Sequence, residues 1–262
     1  MRLDVALVQR GFFDTRAKSA QAVRRGEVFV GGKACYKPAH SVSSDDELTV
    51  TAAKTFVSLG GYKLDKAFCD LDLDCEGKTY IDLGASTGGF TDVLLQRGAK
   101  KVCAVDVGEG LLDKKLASDP RVTDMCGVNA RYLKREDFPE PFDGVVVDCS
   151  FISLKLILPA AMSLVKSDGQ IIALIKPQFE CGEDKLGKSG VLIGENKQKT
   201  VVSDICRFCH DSGLTVAGFT FAPIDKRKNI EYLLLLRFGG VRLSDEAIAS
   251  VVSTACKERR EL

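Results

Sequence analysis

The chain is organised around the stretch Thr79-Tyr-Ile-Asp-Leu-Gly-Ala-Ser-Thr-Gly-Gly-Phe90. Its apolar start predicts a strand, its glycines predict a tight loop, and the residues from Phe90 onward follow a helical pattern. Glycine permits positive φ and a close approach of the backbone to a ligand. The first N–H groups of a helix attract the polar groups of nucleotides. The stretch therefore predicts a strand, loop and helix that form a nucleotide-type cradle.

Two acids indicate which ligand this cradle holds. A dinucleotide loop would read G-x-G-x-x-G, but Ser86 replaces the second glycine and Asp82 lies inside the strand. A carboxylate there attracts a cationic ligand and repels a pyrophosphate, so we predict S-adenosylmethionine, with NAD or an empty loop as the alternatives. Asp106 ends the next strand, 24 residues after Asp82, the spacing at which a carboxylate takes the hydroxyls of an adenosine ribose. The predicted cofactor residues are Asp82, Gly84, Ser86, Thr87, Gly88, Gly89, Phe90, Asp106 and, on the adenine side, Asn129.

Composition sets the outer bounds. The chain has 262 residues, of which 45% are hydrophobic and 28% charged, so it can form one α/β domain of about 200 residues with a small module. No apolar run approaches the roughly 20 residues of a membrane span. Charges interrupt the first ten residues too often for a signal peptide. We therefore expect a cytoplasmic protein without a membrane partner.

The ten cysteines are dispersed, which predicts reduced thiols in a cytosolic protein. Cys206-Arg-Phe-Cys209-His210 matches the c-type haem pattern. However, the apolar residues around it follow helical spacing, which predicts a helix over 195–210 with Cys209 on its core face. Because no second C-x-x-C accompanies it, we predict neither metal nor haem binding.

The first residues have a different chemistry from the rest. Positions 10–37 contain seven lysines and arginines and two acids, a local charge of +5 in a chain whose net charge is +1. Such a concentration predicts contact with a phosphate backbone, and a solvated helix face is the alternative. Helical patterns over 2–10 and 15–25 precede a strand, Gly31-Gly32 and a second strand, which predicts a hairpin.

Three segments of this unit resemble the S4 RNA-binding domain. They are Arg2-Leu-Asp, Ala20-Gln-Ala-Val-Arg-Arg-Gly-Glu-Val-Phe-Val-Gly-Gly-Lys33 and Asp45-Asp-Glu-Leu. The resemblance implies an α+β domain that binds structured RNA through its basic helix pair. The implied RNA contacts are Arg2, Arg16, Lys18, Arg24, Arg25 and Lys33.

Small residues at 51–55 predict a linker and divide the chain into an S4-like domain at 1–57 and a methyltransferase domain at 58–262. Beyond Asp82, strands and helices alternate, which requires crossovers and a mostly parallel sheet. A final antiparallel pair is the ending typical of S-adenosylmethionine-dependent methyltransferases, so we predict a seven-stranded Rossmann-like α/β fold. The predicted strands are 79–83, 101–106, 121–126, 144–148, 170–176, 214–222 and 230–238.

The carboxyl ends of the later strands narrow the chemistry. Strand four ends in Val145-Val-Val-Asp148-Cys-Ser, without the two prolines that amine methyltransferases use. Cys149 could attack a cytosine ring as a nucleophile, but it lacks the usual preceding proline and a second cysteine, so packing is the simpler interpretation. Strand five instead ends in Lys176.

Four residues, Lys63, Asp148, Lys176 and Glu231, look like the Lys-Asp-Lys-Glu tetrad of FtsJ-type ribose 2′-O-methyltransferases. Together with the S4 unit, the chain resembles the TlyA family, many members of which carry the label hemolysin. The segments are Gly60-Gly-Tyr-Lys-Leu64, Asp82-Leu-Gly-Ala-Ser-Thr-Gly-Gly-Phe90, Asn129-Ala-Arg131, Lys176-Pro-Gln-Phe-Glu180 and Asn229-Ile-Glu231. The resemblance implies methylation of a cytidine ribose in 23S or 16S ribosomal RNA, with RNA or ribosomal subunits as partners. Leu59 and 192–194 depart from the family pattern, and we expect both near RNA.

The tetrad suits this chemistry. A ribose 2′-hydroxyl is a weak nucleophile, so the enzyme must align it and manage one proton. We expect Lys176 to activate the hydroxyl or stabilise its developing charge, Lys63 to act as a second cation, and Asp148 and Glu231 to orient them. The alternative for each residue is an ordinary ion pair at a strand end.

Two other functions remain open at this point: a non-catalytic RNA-binding or ribosome-assembly factor, and a hemolysin. The intact glycine loop and the four tetrad positions argue against the first. The sequence shows no secretion signal, no spanning segment and no exposed amphipathic stretch of membrane length for the second. The segment 177–194 is too long for a bare connection, so we predict that it is functional and mobile without RNA.

Overall fold

The structure is a computed structural model, and it describes residues 1–51, 56–182, 186, 187 and 189–261. Most of the predicted linker, 52–55, lies outside the described residues. The first unit contains two helices and a three-stranded antiparallel sheet with the order β2-β1-β3. Its elements are α1 (Leu3–Gln9), α2 (Arg16–Arg24), β1 (Val28–Val30), β2 (Lys33–Ala34) and β3 (Leu48–Val50).

Local chemistry explains this unit. The Thr15 hydroxyl accepts a hydrogen bond from the Lys18 backbone N–H and caps α2. Gly31 and Gly32 have φ values of 56° and 78°, a pair of positive angles that makes a two-residue turn match the twist of the hairpin. Leu3, Leu7, Ala22, Val23 and Val28 form the buried centre of this unit. Both predicted helices and the predicted hairpin are confirmed.

The rest of the chain forms one seven-stranded sheet covered by helices. Its elements are α3 (Leu59–Asp70), β4 (Thr79–Leu83), α4 (Gly89–Gln96), β5 (Lys101–Asp106), α5 (Lys114–Ala117), β6 (Val122–Cys126), β7 (Phe142–Val147), α6 (Leu154–Leu164), β8 (Val165–Ile175), α7 (Pro177–Glu180), α8 (Glu195–Asp211), β9 (Thr215–Phe221), β10 (Tyr232–Arg237) and α9 (Asp245–Arg260).

The strand order is β6-β5-β4-β7-β8-β10-β9. Strands β4 to β8 run parallel, whereas β10 is antiparallel to both β8 and β9. The predicted α/β fold, with its mostly parallel sheet and final antiparallel pair, is confirmed. Because the order reverses beside β4, a crevice opens at the carboxyl edge of the sheet next to the glycine loop.

The two faces of the sheet belong to different parts of the core. On β7, Val145 and Val147 pack into the cluster that includes α6, α8 and α9, whereas Val146 packs with α3 and α4. This alternation follows from the period of two along a strand. Both faces are covered, so the central strands are apolar throughout and the polar residues of the sheet collect at its ends.

Helix α8 covers the predicted helix at 195–210, and Cys206 and Cys209 are buried on its core face. The segment 177–194 includes residues 183–185 and 188, which lie outside the described residues. In its described part, Leu192 is fully buried and its N–H donates to Asn229 Oδ1 at 2.8 Å. The Leu192 side chain belongs to the core, whereas Ile193 beside it is 67% exposed, so the expectation that 192–194 lies near RNA stays a prediction.

Polar contacts join the first unit to the second. The Tyr36 hydroxyl donates to Asp65 on α3, and the same carboxylate lies 2.6 Å from the Arg97 guanidinium. Lys37 lies 3.6 Å from Glu258 on α9. Burial and the neighbouring Asp65 raise the pKa of Tyr36, so its hydroxyl remains a donor. These contacts fix how α2 faces the carboxyl edge of the large sheet.

Candidate active site

The four predicted catalytic residues meet at this edge. Lys63 lies on α3, Asp148 follows β7, Lys176 follows β8, and Glu231 precedes β10. Because β10 is antiparallel to β8 and pairs Tyr232 with Ile175, its first residues lie beside the last residues of β8. Sheet topology therefore brings together side chains that are up to 168 positions apart in sequence (231 − 63).

Lys176 is held from three directions. Its Nζ lies 2.6 Å from Asp148 Oδ1, an ion pair without hydrogen-bond alignment, and it donates to the Asp148 carbonyl at 3.1 Å and to Ser150 Oγ at 2.6 Å. Only 7% of Lys176 is exposed. A buried ammonium is tolerated when acceptors surround it. Its position is therefore set by the strand end and by the turn that follows Asp148.

Lys63 lies on the other side of the same carboxylate. Its Nζ is 2.7 Å from Glu231 Oε2 and 3.7 Å from Asp148 Oδ2. Burial lowers the pKa of Lys63, but the carboxylates of Asp148 and Glu231 outweigh it and raise the pKa above the ordinary value. Asp148 thus lies between two ammonium groups, and the cluster of two cations and two anions is neutral as a whole.

A cavity of about 960 Å³ opens in front of this cluster. All four predicted catalytic residues line it, together with Thr87, Gly89 and Phe90 of the loop and helix α4. A hydroxyl that entered this cavity would meet two cations in a partly dehydrated site, where electrostatic stabilisation is stronger than in water. The arrangement can therefore stabilise a negative charge that develops on an oxygen.

The glycines of the loop allow close packing. Gly84 has a φ of 88°, and a Cβ there would lie 2.9 Å from the Cys149 backbone nitrogen. Gly88 has a φ of 91° and caps α4, and a Cβ there would collide with the Leu112 and Leu116 side chains. A Cβ on Gly89 would meet Ser58. Neighbouring leucines therefore limit the space at Gly88. The sequence alone explained this glycine by the approach of a ligand and not by these leucines.

A second cavity of about 500 Å³ adjoins the first at Gly84, Ser86, Asp148 and Ser150. Asp106 and Asn129 line its far part, with the apolar side chains of Val107 and Leu111. The Asp106 carboxylate accepts the N–H groups of Ser86 and Gly108, each at 2.8 Å. This carboxylate therefore holds the loop in shape and also faces the cavity.

Asp82 differs from the other predicted cofactor residues. It is fully buried, and its Oδ2 accepts the Thr91 N–H at 3.0 Å and the Thr91 hydroxyl at 2.7 Å. Its Oδ1 has no hydrogen-bond partner among the described residues. Burial, which the Thr91 hydrogen bonds only partly offset, raises the pKa of Asp82 to about 7. The described residues that line the two cavities do not include it.

The two joined cavities fit S-adenosylmethionine. The far cavity offers a carboxylate and apolar side chains, as a ribose and an adenine require, and the near one holds the four charged residues. The first N–H groups of α4 complete the cradle, and glycines at 84 and 89 let the loop pack closely against Cys149 and Ser58. Asp106 and Asn129 would hold the adenosine part, and the loop at 84–90 would hold the remainder.

Cys149 is a poor candidate for covalent catalysis. Burial raises the pKa of its thiol to about 12, although the Lys176 ammonium acts in the opposite direction. The thiol donates to the Leu83 carbonyl at 3.3 Å. A thiol that stays protonated and bonded to a strand end is a weak nucleophile, which argues against the cytosine-C5 alternative.

The structure separates the predicted RNA contacts into two groups. Most of them are paired with acids of the same unit: Arg2 and Arg16 with Asp4, Lys18 with Asp14, and Arg25 with Glu27. Arg24, the last residue of α2, and Arg25, which follows it, line the large cavity, whereas Lys33 is an exposed residue of the hairpin. The S4-like unit therefore reaches the catalytic edge through α2.

Sequence reasoning missed several residues of the site. Ser150 bonds to Lys176, and Phe151 is 90% exposed with a φ of 62° at the mouth of the second cavity. Lys226 and Lys228, in the loop between β9 and β10, also line the large cavity. The sequence contains two signals for these residues. Ser150 and Phe151 directly follow Asp148, and the cationic run that includes Lys226 and Lys228 separates the last two strands at the same edge of the sheet.

Comparison with known proteins agrees with this geometry. Residues 56–238 match the model of the FtsJ-like methyltransferase family, and residues 1–48 match that of the S4 domain. The chain is 38% identical, over 98% of its length, to the 16S/23S rRNA (cytidine-2′-O)-methyltransferase TlyA of Mycobacterium tuberculosis, of which it covers 97%. The chain belongs to the TlyA family of FtsJ-like methyltransferases.

Solved structures extend this result. The TlyA-family chain superimposes over its full length on a structure from Streptococcus thermophilus that carries a hemolysin name, with a TM-score of 0.75, 39% identity and 97% of that chain covered. An S-adenosylmethionine-dependent methyltransferase from Mesorhizobium loti shares the fold alone, with a TM-score of 0.53 and 16% identity over 69% of this chain and all of that one. The protein is a methyltransferase that uses S-adenosylmethionine. In the described part of this TlyA-family protein, we find no helix that is both long and apolar enough to cross a membrane.

Proposed function

We propose that this enzyme transfers a methyl group from S-adenosylmethionine to the ribose 2′-hydroxyl of a cytidine in ribosomal RNA, in the cytoplasm. The observation that carries the proposal is the cluster of Lys63, Asp148, Lys176 and Glu231 in a cavity that adjoins the cofactor cavity. The choice of ribosomal RNA and cytidine is supported by the name of the M. tuberculosis relative. The S4 domain match and the cations of α2 support an RNA substrate.

The cofactor supplies a methyl group that its sulfonium centre has already activated, so the residues of the chain only need to prepare the hydroxyl. Lys176 stabilises the negative charge that develops on the 2′-oxygen, and Lys63 contributes a second positive charge. Asp148 lies between the two ammonium groups and fixes their separation. Glu231 holds Lys63 in place. Ser150 keeps Lys176 at the junction of the two cavities.

Phe151 supports the choice of a nucleic acid. Its ring is 90% exposed, lies 5.1 Å from the Phe179 ring centroid to centroid, and stands at the cavity mouth. Exposed aromatic side chains stack on the unpaired bases of single-stranded RNA segments. Phe151 follows Ser150, which lines both cavities, so its ring would stack on a base of the RNA beside the cofactor cavity while the target ribose faces Lys176.

The division of labour follows the two cores of the molecule. We assign RNA capture to a domain at 1–57 and the reaction to a domain at 58–262. The assignment is supported by the separate small core of the first residues and by the matches at 1–48 and 56–238. Phe56 and Val57 pack with the second core, so the division falls close to them.

Mapping of ribose methylation in ribosomal RNA tests the proposal. RNA from cells with and without the gene should differ at a cytidine ribose. The gene should restore the mark, and the Lys176→Ala gene should not. If the gene-dependent methyl group instead lies on a cytosine ring, and Lys176→Ala retains it while Cys149→Ser loses it, the chemistry is methylation of the base at C5.

Calorimetric titration with S-adenosylmethionine separates catalysis from a purely structural role on the ribosome. Saturable binding is expected, because residues of the fold itself build both cavities and the glycine loop. No heat of binding at millimolar cofactor would favour the non-catalytic RNA-binding factor.

A further inference from the structure

The S4-like unit contributes directly to the catalytic cavity. Gln21 and Arg24 of α2 and Arg25, which follows the helix, line it, together with Lys63, Asp148 and Lys176. The contacts of Tyr36 with Asp65 and of Lys37 with Glu258 fix α2 in this place. A substrate in the cavity therefore contacts both units at once, rather than being tethered to one and modified by the other.

Arg24 stands out among the cations of α2. It is half-buried, and no carboxylate oxygen of the described residues lies within 4.0 Å of its guanidinium, whereas Arg25 lies 2.5 Å from Glu27. Burial lowers the pKa of Arg24 by more than the charges of Glu258 and Asp4 raise it. A partly desolvated guanidinium without an ion pair is a site that an incoming anion would stabilise.

The loop between β9 and β10 supplies the second half of the site. Lys226 and Lys228 are exposed, line the same cavity as Arg24 and form no ion pair among the described residues. Pro223 and Ile224, at the start of this loop, line a small adjoining cavity together with Arg24. Arg24 therefore lies beside this loop, although the two belong to different units.

The acids near these cations do not cancel them. Glu258 and Glu261 line the small adjoining cavity but not the catalytic one, where Asp225 is the acid nearest in sequence to the two lysines. Asp225 Oδ1 already accepts the Arg227 backbone N–H at 2.9 Å. Three cations that form no ion pair among the described residues thus line a cavity whose catalytic cluster is neutral, an arrangement that attracts a polyanion.

We propose that Arg24 and Lys228, with Lys226 beside them, bind one backbone phosphate of the RNA at the entrance of the catalytic cavity, so that the phosphate bridges the two units. The site rests on the proposed function, because the nucleotide next to this phosphate is the one whose ribose reaches Lys176. Arginine suits the position, since its planar fork binds phosphate oxygens bidentately. RNA binding at this point orders the substrate for reaction and does more than raise its local concentration.

Binding of a short single-stranded oligocytidylate to the full-length protein, followed by fluorescence anisotropy over a range of salt, tests the site without any methyl donor. Arg24→Ala and Lys228→Ala should each weaken binding about tenfold at low salt and reduce the slope of log affinity against log salt by about 1. The double variant should lose less than the product of the two single effects, because both cations hold one phosphate. Arg24→Lys should restore the salt slope but only part of the affinity, because lysine keeps the charge and lacks the bidentate fork.

Lys100→Ala is the matched control. Lys100 is exposed and precedes β5, at the edge of the sheet opposite the cavity, so its loss removes the same charge without touching the site. A second probe, the same oligomer with neutral methylphosphonate linkages, should bind wild type and Arg24→Ala equally weakly. Calorimetric titration with S-adenosylmethionine checks that each variant is folded.

The inference is overturned if Arg24→Ala binds the charged oligomer as Lys100→Ala does, or if the effects of Arg24→Ala and Lys228→Ala multiply fully. These outcomes are independent of the reaction. A protein that methylates ribose but whose affinity for the oligomer does not depend on Arg24 refutes only the bridge. A protein whose binding depends on Arg24 but which leaves ribose unmodified refutes only the proposed function.

Discussion

The catalytic edge of the large sheet and the outer face of the S4-like unit are both rich in ion pairs, but they differ in burial. At the catalytic edge, the Lys176 side chain is 8% exposed and pairs with Asp148 at 16%. On the outer face, the Lys18 side chain is 64% exposed and pairs with Asp14 at 85%. The two N–O distances, 2.6 and 3.0 Å, are similar.

Distance therefore does not distinguish these pairs, whereas the surroundings do. In a partly dry cavity the attraction between charges is several times stronger than in water, and removal of one partner leaves the other unpaired. On the surface, water and salt replace a lost partner, and the pair contributes little. A cation of the outer face can consequently leave its carboxylate partner and bind an RNA phosphate instead. The ion pairs of the catalytic edge are expected to persist.

The largest effect is expected for Lys176→Ala. Loss of a group that stabilises charge only in the transition state should lower kcat about 10²–10³-fold while cofactor and RNA affinity stay within a factor of about two. Single-turnover methylation and calorimetric titration measure the two quantities. Lys18→Ala, on the outer face, should methylate at nearly the wild-type rate with saturating RNA, and equal losses in both variants would contradict the distinction.

The double variant Lys63→Ala/Lys176→Ala should be almost as active as Lys176→Ala alone. Both lysines share the Asp148 carboxylate, and residues that act as a unit give strongly non-additive effects. Rates of the two single variants and the double variant, measured with the same RNA, give the coupling. If the two losses multiply, the lysines work separately and the shared carboxylate is incidental.

Asp82 allows a test of how burial affects a carboxylate that pairs with no cation among the described residues. Its pKa is about 7 in the folded protein and 3.8 in the reference state, so its contribution to stability is present below about pH 4 and is lost as the pH rises through 7. Asp82→Asn should abolish this loss, worth about 2–4 kcal/mol at pH 8. Urea unfolding of both proteins at pH 5 and pH 8 measures how the free energy of unfolding changes with pH. Any pH-independent cost of the amide cancels in this comparison. A parallel pH dependence in wild type and variant would refute the assignment.

The smallest effect is expected for Asp14→Ala. An exposed pair contributes well under 1 kcal/mol, so the free energy of unfolding should change by no more than about 0.5 kcal/mol. The change should also disappear at molar salt, because salt screens exposed charges. Urea unfolding at low and high salt measures both. A larger loss that survives high salt would show that Asp14 has a structural role beyond its ion pair.

Much of the fold was predictable from periodicity. All seven predicted strands of the large sheet overlap the observed ones. Short apolar runs that are bounded by turn residues favour buried strands. The largest difference is β8, which begins at Val165 rather than at 170 because its polar start pairs with Phe142 on β7. That pairing involves a residue 23 positions away (165 − 142) and leaves no trace in the local pattern.

The candidate site was predictable only where a motif marks it. The four charged residues carry a recognisable spacing, but the partnership of Lys176 with Ser150 depends on the path of the chain after β7. The expected role of Asp82 beside the cofactor stays a prediction, since its carboxylate is fully buried against Thr91. Local sequence indicates which groups are present, and only packing indicates which face they turn to.

By itself, the sequence determined the order of strands and helices, the glycine cradle and the identities of the four charged residues, because each depends on neighbours in the chain. Tertiary structure alone decided that β10 returns beside β8 and carries Glu231 to Lys63, and that α2 closes the cavity with Arg24 exposed to it. Both arrangements join residues from distant segments, and burial in the shared core is what fixes them.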